Sequence, residues 1–577
     1  MSTKNKKPPG FLKLANLILS GERQFYWTST AYGIAISLLT LALPISVQVL
    51  IEAVANTALV RSVVVLAITL FILLALSGVF VALQTYVLEV FERRFLGRIS
   101  AEITMRMTYA DTKQFDTINS DDLANRFFEI DIIQQSLPVL LTGGLALIFQ
   151  TFIGYIVVSF YHPYFFLFSL IHISLMYLVW KIANRGAIRS MLDLSKAKYE
   201  TANWLELLVR HHRDFKSRSG IHFAADQSDR VTSNYIKAHK RHFIYTYGQT
   251  LGFLAIYAMA SAALLGAGGW LVITGQLTLG QLVAAELILG AIFFGLSNFS
   301  YYLEIYYRLY AALYKLSGFF ELSLENHTHH QPIASQWSPS LKFNDVEIES
   351  QNRTYAINAE FPANSKTLVA PENIGLSNIF IDLMTNMRQP ESGDIAFGNN
   401  DINDFNPHDL REEIFIISGN HLYESSIVEF LRFGNPTLSV ASMRELLEIV
   451  HMHTVVNRLD NKIDTILATN GFPLTHSEVL RLKIARALAA KPKILVLSSD
   501  CDLLRPEHRQ QILNYISTLD NTTFIYFSHR LDLEGFDSYM SLDSGHTRSF
   551  PTLDQLVEHT RKKHMGKFAK PDDQAKI

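Results

Sequence analysis

The chain has 577 residues and a formal net charge of −2, with 49% hydrophobic, 12% aromatic and only 18% charged residues. That balance is too apolar for an ordinary soluble enzyme and places part of the chain in lipid, while near-neutrality gives no support for a nucleic-acid partner. The single cysteine, Cys501, excludes an internal disulfide framework and a CxxC metal site, and leaves no thiol to spare for catalysis.

The opening stretch MSTKNKKPPGFLKLANLIL is basic, but its apolar patch is broken by Lys13 and Asn16 and lacks a small-residue cleavage site. Residues 1–22 therefore read as a cytoplasmic tail and elbow helix. Apolar runs of about 20 residues, long enough to cross a bilayer, follow near residues 26–51, 60–90, 137–160, 163–182, 246–273 and 281–302. The joints EAVANTAL, YHP and TGQLTLG are short and carry no Lys or Arg. The segments between the run pairs are long and basic, with Arg93, Arg94, Arg98, Arg106, Lys113 and Arg126 in one, and Lys181, Arg185, Arg189, Lys196, Lys198, Arg210, Arg213, Lys216 and Arg218 in the other. The positive-inside bias puts these segments, and both termini, in the cytoplasm. They lack the Pro and Gly punctuation of linkers, so the membrane helices are expected to continue well past the bilayer.

Among the polar residues inside the apolar runs are His172 in the fourth and Glu286 in the sixth. Each is either a lining of a substrate pathway or a helix-to-helix hydrogen-bonding group. The Tyr-rich stretch from Tyr301 to Tyr314 reads as packing and interface anchoring. A linker is expected over residues 321–340, closing a transmembrane domain of residues 23–320. The run HTHH in it, with His327, His329 and His330, lacks a Cys or carboxylate set and reads as a solvated linker, so no metal site is predicted.

From residue 341 the pattern changes to β-rich runs (LKFNDVEIES, TYAINAEF, KTLVA, DIAFG, IFIIS, KILVLSS, TTFIYFS) alternating with helical stretches such as IGLSNIFIDLMTNM and SEVLRLKIARALAA. Alternation of this kind predicts an α/β domain with a partly parallel sheet over residues 341–560, followed by a flexible tail, 561–577.

Six extended spans followed by one α/β domain resemble an ABC exporter half-transporter, and landmarks of that family follow in order. RQPESGDIAFGNNDI looks like the segment after the phosphate loop, and DLREEIFIIS like the strand leading to the Gln loop. LTHSEVLRLKIARALAAKPKILVLSSD is similar to the signature helix running into the Walker B strand, with Ile484, Ala485, Arg486 and Ala487 in place. TTFIYFSHRL resembles the switch-histidine strand, with His529 and Arg530 where the family has His-Arg. The resemblance implies a six-helix membrane domain fused to a P-loop-type nucleotide-binding domain, and dimers with two composite ATP sites.

The reacting residues of the family pattern are the ones missing. A phosphate loop wraps glycine backbone N–H groups around phosphate and adds a Lys and a Mg²⁺-binding hydroxyl. In LVAPENIGLSNIF, Ala370 takes the first Gly position, Glu372 adds a carboxylate beside Asn373, Gly375 and Ser377 remain, and Leu376 stands for the Lys. Where the Walker B strand ends in a Mg²⁺-binding Asp and a catalytic Glu, this chain has Ser498 and Ser499, which cannot act as charge partner or base. Asp500 lies one step further, and strand alternation would put it on the opposite face. The signature is Leu474, Thr475, His476, Ser477 and Glu478, whose Thr475 keeps a hydroxyl able to meet a γ-phosphate from the other subunit. The Gln-loop position falls near Ser418, no aromatic in VEIESQNR matches the adenine stack, and the D-loop is Asp502, Leu503, Leu504 and Arg505. His529, without its partners, reads as structural.

The resemblance thus implies a chain without ATPase activity at its own site and with no catalytic residue of its own. ATP and Mg²⁺ would be bound productively only at a composite site with a partner. That partner is a second ABC half-transporter, or another copy in a homodimeric scaffold. Two coupling segments are expected, FDTINSDDLANRF at 115–127, with Asp121 at the family's Gly, and ETANWLELLVRHHRDFK at 200–216. GGWLVITGQLTLGQLVAA is similar to half-transporters of type I secretion, which implies peptide or protein export across the inner membrane and a periplasmic adaptor as a further partner.

Overall fold

The computed structural model describes residues 9–56, 60–115, 125–325, 338–350, 353–419, 421–543 and 546–568. The chain divides into two compact units, Met1–Leu324 and Glu325–Ile577. The histidine run of the expected linker and most of the first coupling segment, Asp121 included, lie outside the described residues.

Among the described residues, the first unit contains six helical stretches long and apolar enough to cross a membrane: Phe11–Val54, Val60–Thr108, Arg126–Ser159, Pro163–Arg210, Arg218–Ile273 and Leu279–Ser297. Three of them, Val60–Thr108, Pro163–Arg210 and Arg218–Ile273, are single helices far longer than a bilayer requires. The 49-residue helix Val60–Thr108 extends about 74 Å at 1.5 Å per residue, against roughly 30 Å of hydrocarbon. Arg93, Arg94, Arg98 and Arg106 of the first basic segment, and Lys181 to Arg210 of the second, are thus continuous with the spans as helix.

Local chemistry places the turns between spans. The fourth span starts on Pro163, whose missing N–H costs nothing at the first helical position, and the His162 ring Nδ1 accepts the Tyr164 N–H at 3.2 Å. The sixth starts in a reciprocal capping box, in which Gln281 N–H bonds Thr278 Oγ1 at 3.1 Å and Thr278 N–H bonds Gln281 Oε1 at 3.0 Å. Gly275, at φ +71°, makes the turn before it. In the third span, Pro138 precedes a π-helical turn at Leu140–Gly144 before the α-helix resumes at Leu145–Ser159. The fourth span's helix ends at Arg210, a 3-10 turn follows at Asp214–Lys216, and Ser217 Oγ caps the fifth span's helix by accepting the Gly220 N–H at 3.0 Å.

The second unit is built on strands β1 (Leu341–Ser350), β2 (Arg353–Phe361), β3 (Lys366–Pro371), β4 (Ser392–Phe397), β5 (Asn400–Asp401), β6 (Ile414–Ile417), β7 (Ser425–Ser426), β8 (Ile466–Leu467), β9 (Ile494–Leu497), β10 (Thr523–Phe527), β11 (Ser538–Leu542) and β12 (Thr547–Phe550). The main sheet runs β12-β11-β3-β10-β9-β6, parallel except for the β11–β12 pair, and a second, antiparallel sheet runs β2-β1-β4-β5. Strands β9 and β10 are buried at every residue, as a sheet covered on both faces demands. A parallel sheet collects the loops after its strands at one edge, so the segments after β3, β6, β9 and β10 converge there.

The last helix runs Leu553–Phe568, so the residues just after 560 are helical where the sequence suggested a flexible tail. No Gly or Pro interrupts that segment before Gly566, and Lys562 pairs with Glu558 one turn back at 2.7 Å, a spacing that supports continued helix.

Candidate functional site: a closed phosphate loop

β3 passes into the helix Ile374–Met384 across only Glu372 and Asn373. The Glu372 N–H is held by the Leu542 carbonyl at 2.8 Å, at the end of neighbouring β11. Asn373 is extended and caps the helix, its Oδ1 accepting the Leu376 N–H at 2.8 Å. An N–H that an anion would need at this helix end is thereby engaged by the chain's own side chain. Leu376 has no exposed surface and packs in the apolar cluster with Val369, Phe380 and Phe527. Ser377 is 1% exposed and its Oγ donates to the Ile374 carbonyl at 2.8 Å, so the hydroxyl at the Mg²⁺ position is turned back into its own helix. Ala370 is the penultimate residue of β3, and Gly375 lies exposed in the first helical turn.

β9 ends at Leu497, so Ser498 and Ser499 do not continue the strand: Ser499 begins a 3-10 turn through Leu503. Asp500 therefore lies in a turn and not, as was expected, on the opposite face of a strand. Instead the Asp500 carboxylate turns back, with Oδ2 accepting from Gly419 N–H at 2.6 Å and from Ser498 Oγ at 3.0 Å. Lys483 completes this knot by donating to the carbonyls of Ser418 and Gly419 at 2.7 and 3.1 Å. Burial, followed by the neighbouring Arg486, lowers the Lys483 pKa below the usual ammonium range. The expected Gln-loop position, Ser418, is thus held by a lysine from the helix His476–Ala490, and its neighbour Gly419 by an aspartate after β9.

Asp502 fixes the loop after β10: it accepts from Tyr526 Oη at 2.8 Å, Ser528 Oγ at 2.6 Å and the His529 N–H at 3.0 Å. The His529 side chain is exposed, and Arg530 Nε bonds Asp532 at 2.9 Å. Cys501 between these aspartates is fully buried, and burial, with Asp500 and Asp502 beside it, pushes its thiol well above the usual range.

The signature residues open the helix His476–Ala490. Thr475 donates to Glu478 Oε2 twice, from its N–H at 2.7 Å and from its hydroxyl at 2.8 Å. The hydroxyl expected to face a phosphate is committed to a carboxylate at the same helix end. Leu474 is buried, His476 exposed and Ser477 half-buried.

In the membrane unit, His172 is 3% exposed, with its Nδ1 against Tyr155 Oη and its ring edge-on to Phe293 at 4.9 Å. Among the described residues Glu286 Oε2 is buried without a hydrogen-bond partner. No group of three metal-ligating side chains occurs among the described residues.

Lys483 and Asp502 were missed as organising residues in the sequence. A lysine on the apolar face of the signature helix was the available signal for the first. For Asp502 there was none, since its partners lie on a strand more than twenty residues away.

Residues 27–297 match the ABC transporter transmembrane region family. The chain is similar to the solved structure of a bacterial Atm1-family ABC exporter with ATP bound, with a TM-score of 0.81 at 16% identity over 96% of this chain and 99% of the other. The membrane unit thus matches an ABC transporter transmembrane region, and the chain has the ABC exporter fold, with six candidate membrane spans ahead of a sheet-containing domain. Among curated relatives, the chain is similar to the uncharacterized ABC transporter ATP-binding protein YknU of Bacillus subtilis, 26% identical over 51% of this chain and 52% of that relative, about half its length. It is also similar to the alpha-hemolysin translocation ATP-binding protein HlyB of Escherichia coli O157:H7, 21% identical over 90% of this chain and 75% of the other. The ATP-dependent lipid A-core flippase of Photobacterium profundum is 24% identical over 37% of this chain.

Proposed function

We propose that this chain is the nucleotide-silent subunit of a heterodimeric ABC exporter in the bacterial inner membrane, with both termini cytoplasmic. The observation that carries this reading is the phosphate loop, where Asn373 caps the helix end and Leu376 is buried in the core at the lysine position. The residues present do not fit a Mg²⁺-nucleotide: the lysine and both Walker B carboxylates are replaced, and a carboxylate, Glu372, stands beside the loop. ATP and Mg²⁺ would sit instead on an ATP-hydrolysing partner's intact loop, opposite Thr475 and Ser477 of this chain.

Peptide or protein export is the favoured substrate class, because relatives named for toxin translocation align over about 90% of the chain, whereas the lipid A-core flippase aligns over little more than a third. A periplasmic adaptor would complete such a system. Native purification followed by intact mass analysis tests the pairing. The expected result is a one-to-one complex with a second ABC subunit that carries an intact phosphate-loop lysine and an Asp-Glu pair. A chain recovered only with itself would overturn it.

One observation favours a second reading, a homodimeric scaffold or regulator without ATP-driven transport. Thr475 is doubly bonded to Glu478, so the signature end also faces a partner with a committed hydroxyl and an added negative charge. Vanadate trapping separates the two, since a heterodimer hydrolysing at the other site traps nucleotide and the scaffold does not.

A further inference from the structure

Spans three and four face each other with stripes that do not close on one another. Span three presents Thr151, Phe152 and Tyr155, and span four Ile173, Tyr177 and Trp180, spacings that keep each set on one side of its helix. Between them lies a cavity of about 450 Å³, backed by Leu296 of span six. It runs into a second of about 380 Å³, which shares Phe152, Tyr155 and Ile173 and reaches Phe166 near the turn between the spans. Phe152, Ile173 and Tyr177 are exposed, so the groove is open along its side. From Phe166 to Trp180 it follows about 21 Å of helix. One hydrocarbon leaflet is roughly 15 Å, so the groove is long enough to take an acyl chain along its whole length.

We propose that this groove holds one anionic glycerophospholipid from the leaflet on the side of the basic helix extensions, with an ester carbonyl on Thr151 and the phosphate at Lys181. Thr151 is 9% exposed, and its Oγ1 is buried without a hydrogen-bond partner among the described residues. Hydroxyls elsewhere on the membrane helices turn back to the carbonyl four residues earlier: Thr69 to Val65 and Thr85 to Val81 at 2.9 Å, and Ser169 to Phe165 at 2.8 Å. Thr151 does not, and it lines the groove instead. Tyr155 Oη, also buried there, is engaged by His172 Nδ1. A water needs two or more polar partners, which walls of aromatic and aliphatic side chains do not offer. The free hydroxyl is therefore matched by an acceptor carried in on an apolar ligand.

Charge selects the ligand. Exposed Lys181 follows Trp180 at the end of the groove and turns back over its wall, with Nζ 5.6 Å from the centroid of the Tyr177 ring. A cation flanked by Trp and Tyr is the chemistry of a membrane interface, and a basic pocket between helices suits a lipid phosphate. The register fits the same molecule. The Tyr155–His172 contact pairs the two spans, and Thr151 lies one helical turn from Tyr155 toward the basic end, below the level of Lys181 where ester carbonyls lie in a bilayer lipid. A peptide segment fits less well, since its backbone amides would meet a single free hydroxyl in an otherwise apolar wall.

The test is native mass spectrometry of the full chain in detergent, titrated with phosphatidylglycerol or phosphatidylcholine. One phosphatidylglycerol per chain is expected to bind in preference to phosphatidylcholine. Lys181→Gln should weaken phosphatidylglycerol binding about fivefold and leave phosphatidylcholine binding unchanged. Thr151→Val keeps the shape and removes the hydroxyl, and it should weaken both lipids about fivefold because both carry the ester carbonyls. Thr85→Val, whose hydroxyl is bonded within its own helix, should change neither. Equal binding of the two lipids by the unsubstituted chain would overturn the proposal, and so would unchanged affinity in Thr151→Val. A lipid-free pair of chains in the same spectra would also overturn it, because a second copy would then cover the groove. If Thr151→Val yields no folded protein, the loss of headgroup preference in Lys181→Gln decides alone.

Discussion

Position 376, where the family resemblance leads to the expectation of a lysine, carries a leucine with no exposed surface. A leucine there is part of the core, so writing the lysine back does not recreate a phosphate ligand. Leu376→Lys would bury an ammonium among Val369, Phe380 and Phe527, at a cost on the order of 3 kcal/mol or more. The expected outcome is a lowered unfolding midpoint of the second unit with no gain of ATP binding, read by thermal unfolding with and without Mg-ATP. Asp502 carries a different burden, since its carboxylate serves two hydroxyls and one amide. Asp502→Ala should cost about 3 kcal/mol, because buried donors left unsatisfied each lose their desolvation compensation. Cys501 gives a third check: a buried thiol held above its usual pKa should resist alkylation in the native protein and react once denaturant opens the fold. At this scale the sequence told which residues had been replaced, since each sits at a fixed offset from a motif. It did not tell what replaced their interactions, because the bonds of Asp500 to Gly419 and of Lys483 to Ser418 join segments far apart in the chain.

The helices of the membrane unit were legible because their apolar runs and basic, break-free continuations follow simple rules of length and composition. Strands β1, β3, β9 and β10 were legible for a related reason: dense β-branched and aromatic residues bounded by turns. β11 and β12 were not, since SYMSL and TRSF are short and mixed in polarity, and their strand state depends on pairing with β3 and with each other. Helix-to-helix contact at small residues is likewise a tertiary fact. Gly186 tolerates the Tyr245 ring only because it has no Cβ. Gly186→Val should therefore destabilise the solubilised protein by about 1–3 kcal/mol. Tyr245→Ala in the same chain should recover part of the loss, and a double-mutant cycle on thermal unfolding measures that coupling.

For the molecule as a whole, the exporter fold is present, and on the proposed reading the chemistry of one nucleotide site is withdrawn. The parallel sheet gathers the segments after β3, β9 and β10 at one edge. At that edge, internal hydrogen bonds and apolar packing stand where nucleotide contacts are expected. Fold and function thus separate cleanly, the fold being set by distributed packing and the activity by a handful of side chains. The most direct test of this account is equilibrium binding of Mg-ATP to the purified chain freed of any partner. It predicts no saturable binding up to millimolar nucleotide. Stoichiometric, saturable binding that is lost on substituting Asn373 or Ser377 would contradict it.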